Sequence, residues 1–223
     1  MVDDPFSTLK GLASKAHKPV LKDIKDIFVH CGYKFHIKLL NTRDHNLPQT
    51  RKRVYIVAIR KDCCSAARKF TFPEPVAPTL TPKMLLDMKK KGDGTWPTTQ
   101  TANRCLTDAY ADIRDKGLNP DTTFAFIDIN AGKSHAQWTL DEMPTLTKSR
   151  GTIGYWCTAV GRCTSLNENQ KFQGILSPID PKSAGVCAGQ LGGAVGNAMS
   201  INVLAIMHNR ACVKRAFFNG AFF

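Results

Sequence analysis

None of the eight cysteines pairs with another in a Cys-x-x-Cys spacing, so the ligand pattern of a structural zinc site is missing and no metal site is expected. No apolar run approaches the ~18 residues that a membrane-spanning helix needs, and no secretory leader opens the chain. The expectation is therefore an intracellular compartment with reduced thiols, the nucleus in a eukaryote, and no membrane association. Repeats and low-complexity tracts are also missing. Acidic residues are scarce, with 18 Asp/Glu against 31 Lys/Arg and a formal charge of +13. The deficit is uneven: residues 1–69 hold 15 Lys/Arg and 6 Asp/Glu, a surplus of nine, whereas the remainder holds 16 and 12. A basic surplus of this kind suits a polyanionic partner, with binding weakened by salt through counterion release, although it also suits a merely solvated surface.

What is present is ordinary for a globular protein. A chain of 223 residues that is 43% hydrophobic and 22% charged can bury a core of one domain, or one domain and a small appendage. Val20, Ile24, Ile27 and Phe28 recur at helical spacing within Pro19–His30, opposite Lys22, Asp23, Lys25 and Asp26, and Gly32 stops that helix. Phe35–Leu40 alternates as a half-buried strand, and Val54–Ile59 reads as a buried one. Four prolines between Phe72 and Pro82 mark a boundary. Beyond it the pattern predicts helices over Pro82–Lys90 and Asn103–Lys116, a strand over Phe124–Ile129, and renewed apolar alternation over Ile153–Val160. Further helices are predicted over Leu166–Phe172, ended by Gly174, and over Asn197–Asn209. The latter follows a glycine-rich turn, Gly192-Gly193-Ala194-Val195-Gly196.

Residues Asn41–Ile59 join a polar loop to the second strand through Gln49-Thr50-Arg51-Lys52-Arg53. Two guanidinium forks at one sheet edge suit phosphate oxygens or a base carbonyl. Basic residues beside a strand can equally serve as gatekeepers against aggregation. The Gln-x-Arg-x-Arg cluster resembles the eighth conserved motif of DNA cytosine-5 methyltransferases. Three later segments extend the resemblance in the family's order. Glu142-Met143-Pro144-Thr145-Leu146-Thr147-Lys148-Ser149-Arg150-Gly151 resembles the ninth motif. Leu166-Asn167-Glu168-Asn169-Gln170-Lys171-Phe172-Gln173-Gly174 is similar to a family helix in which Lys171 replaces the usual arginine, losing the fork but keeping the charge. Gly196-Asn197-Ala198-Met199-Ser200-Ile201-Asn202-Val203-Leu204 is similar to the tenth motif.

The resemblance implies an α/β fold, the C-terminal part of a Rossmann-like S-adenosylmethionine-dependent methyltransferase sheet with a small inserted target-recognition region. Residues 1–69 and 139–223 would form a partial catalytic domain, and 70–138 the insertion, where target specificity would reside. Arg53 would lie near the flipped cytosine, with Arg51 supporting backbone contacts. Gln49, Lys52, Lys148 and Arg150 would face the DNA. Asn197, Ala198 and Met199 would form one wall of the S-adenosyl-L-methionine pocket, Asn197 either capping the last helix or bonding the cofactor. One group of the family acts on transfer RNA, so RNA remains a second candidate partner.

Other family features have no counterpart here. No Pro-Cys dipeptide supplies the nucleophile, no Phe-x-Gly-x-Gly turn supplies the main cofactor wall, and Ser7-Thr8-Leu9 stands where Glu-Asn-Val belongs. The expectation is a C-terminal half that contributes target recognition and cofactor closure, a fragment or one member of a split enzyme completed by a chain carrying the catalytic half. The alternative is a non-catalytic basic DNA-binding module. Loss of the first half also predicts an open sheet edge, an uncovered apolar face and weak stability alone.

Overall fold

A computed structural model describes residues 17–63, 70–132 and 138–211. The chain divides into two compact units, Met1–Leu40 with Lys52–Pro75 and Val203–Phe223, and Asn41–Arg51 with Val76–Asn202. Residues 139–202 fall in the same compact unit as 76–138.

In the first unit, α1 (His17–His30) leads through Gly32, at φ +84°, into β1 (Tyr33–Asn41), which pairs with β2 (Lys52–Arg60). Phe28 of α1 meets Tyr33 and Phe35 with ring centroids 5.7 and 6.1 Å apart. Ile37, Leu40, Tyr55 and Phe70 are buried. The helix stripe is only half used, for Val20 and Ile27 are 53% and 61% exposed. Likewise β2 is not the buried strand its composition predicts: Tyr55 is buried, yet Ile56 faces solvent.

The second unit is built around a short antiparallel sheet of order β4 (Trp138–Leu140), β3 (Ala125–Ile127), β5 (Trp156–Cys157), β6 (Arg162–Cys163). Successive side chains of a strand point to opposite faces, so Phe126 and Cys157 join one core while Ile127 and Trp156 join another. The first core gathers Leu47, Met143, Leu146, Tyr155, Phe172 and Val195. The second receives one face of α3 (Gln100–Asp115), through Ala102, Cys105, Leu106, Ala109 and Tyr110. Thr99 caps α3 by accepting the amide of Ala102, and the Trp156 indole N–H donates to the Tyr110 hydroxyl at 3.2 Å.

Around this sheet stand α2 (Pro82–Leu85), α4 (Lys148–Ile153), α5 (Leu166–Phe172) and α6 (Ala188–Asn197); α7 (Ile201–Ala211) begins in this unit and continues into the first. Three expectations need correction. The helix predicted over Pro82–Lys90 lasts only four residues, because the Asp87 amide is taken by the Glu168 carboxylate and the Asp87 carbonyl by Arg162. The glycines from Gly192 to Gly196 lie inside α6 rather than in a turn. Accordingly, the helix predicted over Asn197–Asn209 is broken at residues 198–200, and Asn197 ends α6 instead of capping α7. No single helix among the described residues is long and apolar enough to cross a membrane.

Candidate nucleic-acid and cofactor site

Among the described residues, Arg51 is the largest side chain buried to near completion, 1% exposed. Its backbone is fixed first: the amide donates to Asn41 Oδ1 at 2.9 Å, and the carbonyl accepts from the amide of Thr42 at 3.0 Å. The guanidinium then reaches other segments of the same unit. Nη1 donates to the Leu146 carbonyl, and Nη2 to the carbonyls of Gly196 and Ala198 at 3.0 and 2.6 Å. Arginine's planar fork can hold several acceptors in fixed directions, which a flexible ammonium cannot do as well. The expectation of a free fork at a sheet edge is thus corrected: Arg51 spends its donors on protein carbonyls. Gln49 is also inside, at 0% exposure, and its amide atoms have no partner among the described residues. Its neighbourhood is pinned by main-chain bonds from Met143 N to Pro48 O and from Thr50 N to Met143 O, at 2.8 and 2.9 Å.

The carbonyls that Arg51 takes flank Asn197. Two further bonds secure the same turn: Gln173 Nε2 donates to the Val195 carbonyl at 3.0 Å, and the Ser200 and Thr42 hydroxyls lie 2.6 Å apart. Val195, Gly196 and Ser200 are consequently buried, whereas Asn197 is exposed and Ala198 and Met199 are half-buried. The Asn197 side chain therefore projects from a turn whose two shoulders are tied down. Sequence reasoning found Asn197 and met Gln173 only as part of a family-like segment with no role assigned to it; it missed Thr42, which carries no local signal because it acts across the fold.

Leu146, the third carbonyl partner of Arg51, leads into Thr147-Lys148-Ser149, all exposed. Thr147 starts α4 by accepting from the Arg150 amide. Here the glycines explain themselves. A Cβ on Gly151 would strike the Gly192 carbonyl oxygen, and one on Gly196 would strike the Thr147 carbonyl, so α4 and α6 pack backbone to backbone. Thr147, Lys148, Ser149, Thr152, Gly189 and Gly193 line a concavity of about 410 Å³ beside this crossing. Lys148 is free to meet an anion there. Arg150 is less so, since its Nε and Nη2 engage both oxygens of Asp128 at 3.0 and 2.8 Å.

A second arginine fork, half-buried, meets a buried carboxylate at the start of α5. Glu168 is 2% exposed and accepts Arg162 Nη1 and Nη2 at 2.8 Å each, together with the amides of Asp87 and Ser165 at 2.7 and 2.6 Å. Burial by itself would raise the Glu168 carboxyl, but Arg162 and the two amides outweigh it and hold the group below the usual glutamate range. Ser165-x-x-Glu168 closes a capping box, a spacing readable in the sequence that would have marked Glu168 as structural.

Lys52 and Arg53 belong to the first unit. Lys52 is exposed; Arg53 is half-buried, with its Nη1 donating to the adjacent Lys52 carbonyl at 2.8 Å. Among the described cysteines, Cys157 is buried and its thiol is pushed up to about 12, and burial also raises Cys163. Neither is poised as a thiolate. No cluster of metal-ligating side chains occurs among the described residues.

The model of the C-5 cytosine-specific DNA methylase family matches residues 9–183. The type II methyltransferase M.MthTI of Methanothermobacter thermautotrophicus is 41% identical over 66 residues, covering 30% of this chain and 19% of that protein. M.Bsp6I of a Bacillus species is 27% identical over 153 residues, 67% of this chain and 45% of its own length. Matches to such relatives thus span less than half of them. Among solved structures, the Entamoeba histolytica methyltransferase EhMeth superposes with a TM-score of 0.53 at 17% identity, over 86% of this chain and 57% of that one, which supports a methyltransferase fold. With the family model covering most of its length, the chain belongs to the C-5 cytosine-specific DNA methylase family.

Proposed function

We propose that this chain is the target-recognition and cofactor-closing portion of a DNA cytosine-5 methyltransferase, working with a complementary chain that carries the catalytic half, inside the cell and in the nucleus if the source is eukaryotic. The observation that carries the reading is the turn at Asn197. Two carbonyls bonded by Arg51 flank an exposed asparagine whose side chain makes no hydrogen bond to the described residues. A pre-set polar group of this kind suits one wall of an S-adenosyl-L-methionine pocket, with Asn197, Ala198 and Met199 as the contacting residues. The cofactor, when bound, supplies the methyl group.

On the nucleic-acid side, Arg53 is assigned to the flipped base, whose extraction costs a few kcal/mol and is partly offset by a guanidinium bond to its carbonyl oxygen. Lys52 is assigned to phosphates, and so, in the second unit, are Lys148 and Arg150, the latter through the edge it leaves free of Asp128. Gln49 and Arg51 act from behind, shaping the loop that delivers Arg53. DNA is the substrate this reading favours over RNA. Exposed Val20 and Ile27 on α1 are consistent with a surface that the complementary chain covers.

Mixing the purified chain with a candidate first-half chain, duplex DNA and labelled S-adenosylmethionine tests the proposal. Methyl transfer only in the mixture is expected; none with a folded, cofactor-binding first half would overturn it. The absence of Pro-Cys and the net charge of +13 favour a second reading, a DNA-binding module without catalysis. That module would bind DNA with a steep salt dependence and remain indifferent to cofactor and partner alike.

A further inference from the structure

One side chain joins the two functional surfaces of the second unit. Arg51 bonds Leu146, immediately before the exposed Thr147-Lys148-Ser149 strip, through one guanidinium nitrogen, and both shoulders of Asn197 through the other. The guanidinium is planar, so its bond directions are fixed relative to one another. It is also buried, and so are its bonds to the Leu146 and Gly196 carbonyls, which have no solvent to fall back on. A shift of the turn must carry the fork with it or break bonds, and the fork in turn carries Leu146. The remaining ties on the turn come from Gln173 and from Thr42 through Ser200, neither of which is bonded to the strip.

We propose that Arg51 is a positioning residue that couples the Asn197 turn to the Thr147–Ser149 strip, so that engagement of cofactor at the turn orders the segment that meets nucleic acid. The functional direction of this coupling rests on the assignment of the turn to cofactor and of the strip to DNA. The mechanical link does not. A competing route runs through the glycine contacts of α4 and α6, where Gly196 meets Thr147 and Gly151 meets Gly192.

Amide hydrogen exchange on the full chain separates the routes. Ser200→Ala loosens the turn without touching the strip. In the wild-type background it should speed exchange at residues 195–200 and, through Arg51, at 147–151, by up to about tenfold, the loss of one net hydrogen bond. Arg51→Lys keeps the charge and loses the fork. With that change in place, Ser200→Ala should still speed the turn while leaving 147–151 unaltered, a non-additivity that a purely structural arginine would not produce. Equal acceleration of 147–151 in both backgrounds, or none in the wild type, would overturn the coupling. Arg51→Gln provides the same comparison should the lysine variant not fold. A parallel arm adds S-adenosylhomocysteine to the wild-type chain mixed with a folded first-half chain that supplies the main cofactor wall. Slower exchange at both segments is expected. If the ligand changes neither segment while the substitution arm shows coupling, the assignment of the turn to cofactor fails and the role of Arg51 stands.

Discussion

Two arginine forks among the described residues, Arg51 buried and Arg162 half-buried, stabilise the second unit, and they do so differently. Arg162 faces a carboxylate, making a paired charge whose partner Glu168 also holds the amides of Ser165 and Asp87. Arg51 faces three main-chain carbonyls drawn from two segments that lie 50 residues apart in sequence, Leu146 and Gly196 with Ala198. The first fork fixes a helix start and an adjacent loop. The second fixes the surfaces that the proposed function uses. An ion pair of this kind can be weakened by acid, whereas the carbonyl acceptors of Arg51 have no proton to gain.

The largest effect that would break the comparison is expected from Arg51→Met. It strands two buried carbonyls and one part-buried carbonyl, and with unmet acceptors costing roughly 1–3 kcal/mol each, a loss of about 4 kcal/mol is expected in denaturant unfolding. Arg162→Met comes next, leaving Glu168 ionised and buried without its cation, at a cost of about 3 kcal/mol. Gly196→Ala should cost about 2 kcal/mol by forcing α4 away from α6, with the same unfolding experiment as its measure. If Gly196→Ala proved neutral, the close helix crossing would be refuted.

Acid should sharpen the contrast. The folded-state pKa of Glu168 is lowered, so the stability it contributes is fully present above the ordinary glutamate range of about 4.3 and is lost as the pH falls through its folded value below that. Wild-type stability should therefore drop in that window, and Glu168→Gln should flatten that part of the profile. The penalty of Arg51→Met should persist across it. The smallest effect is expected for Lys148→Ala, which leaves unfolding unchanged and reduces the salt slope of DNA binding by about 0.9, one phosphate contact.

The elements legible in the sequence were those whose signal is local. Phe28 and its neighbours gave α1, Phe35 to Leu39 gave β1, and the span Leu166–Phe172 with Gly174 behind it gave α5 to the residue. Elements set by long-range bonds were not legible. α2 stops early because Glu168 and Arg162 seize Asp87, and α6 parts from α7 where Arg51 and Thr42 hold the turn. The glycine run reads as a turn because glycine costs a helix about 1 kcal/mol per residue, and only the tertiary contact with α4 explains its presence there. β4, β5 and β6, two or three residues each, are too short to show a period. For the site, motif resemblance selected Arg51, Lys148 and Asn197, but it did not distinguish an arginine that touches nucleic acid from one that holds the residues that would.

That distinction is open to one direct measurement. DNA binding by the full chain is followed over a salt series for the wild type and for Arg51→Gln, which removes the charge and keeps an amide to donate to carbonyls. The structure predicts weaker binding with an unchanged salt slope, because a buried guanidinium bonded to Leu146, Gly196 and Ala198 releases no counterion. A slope reduced by about 0.9 would mean that Arg51 neutralises a phosphate and would contradict the account.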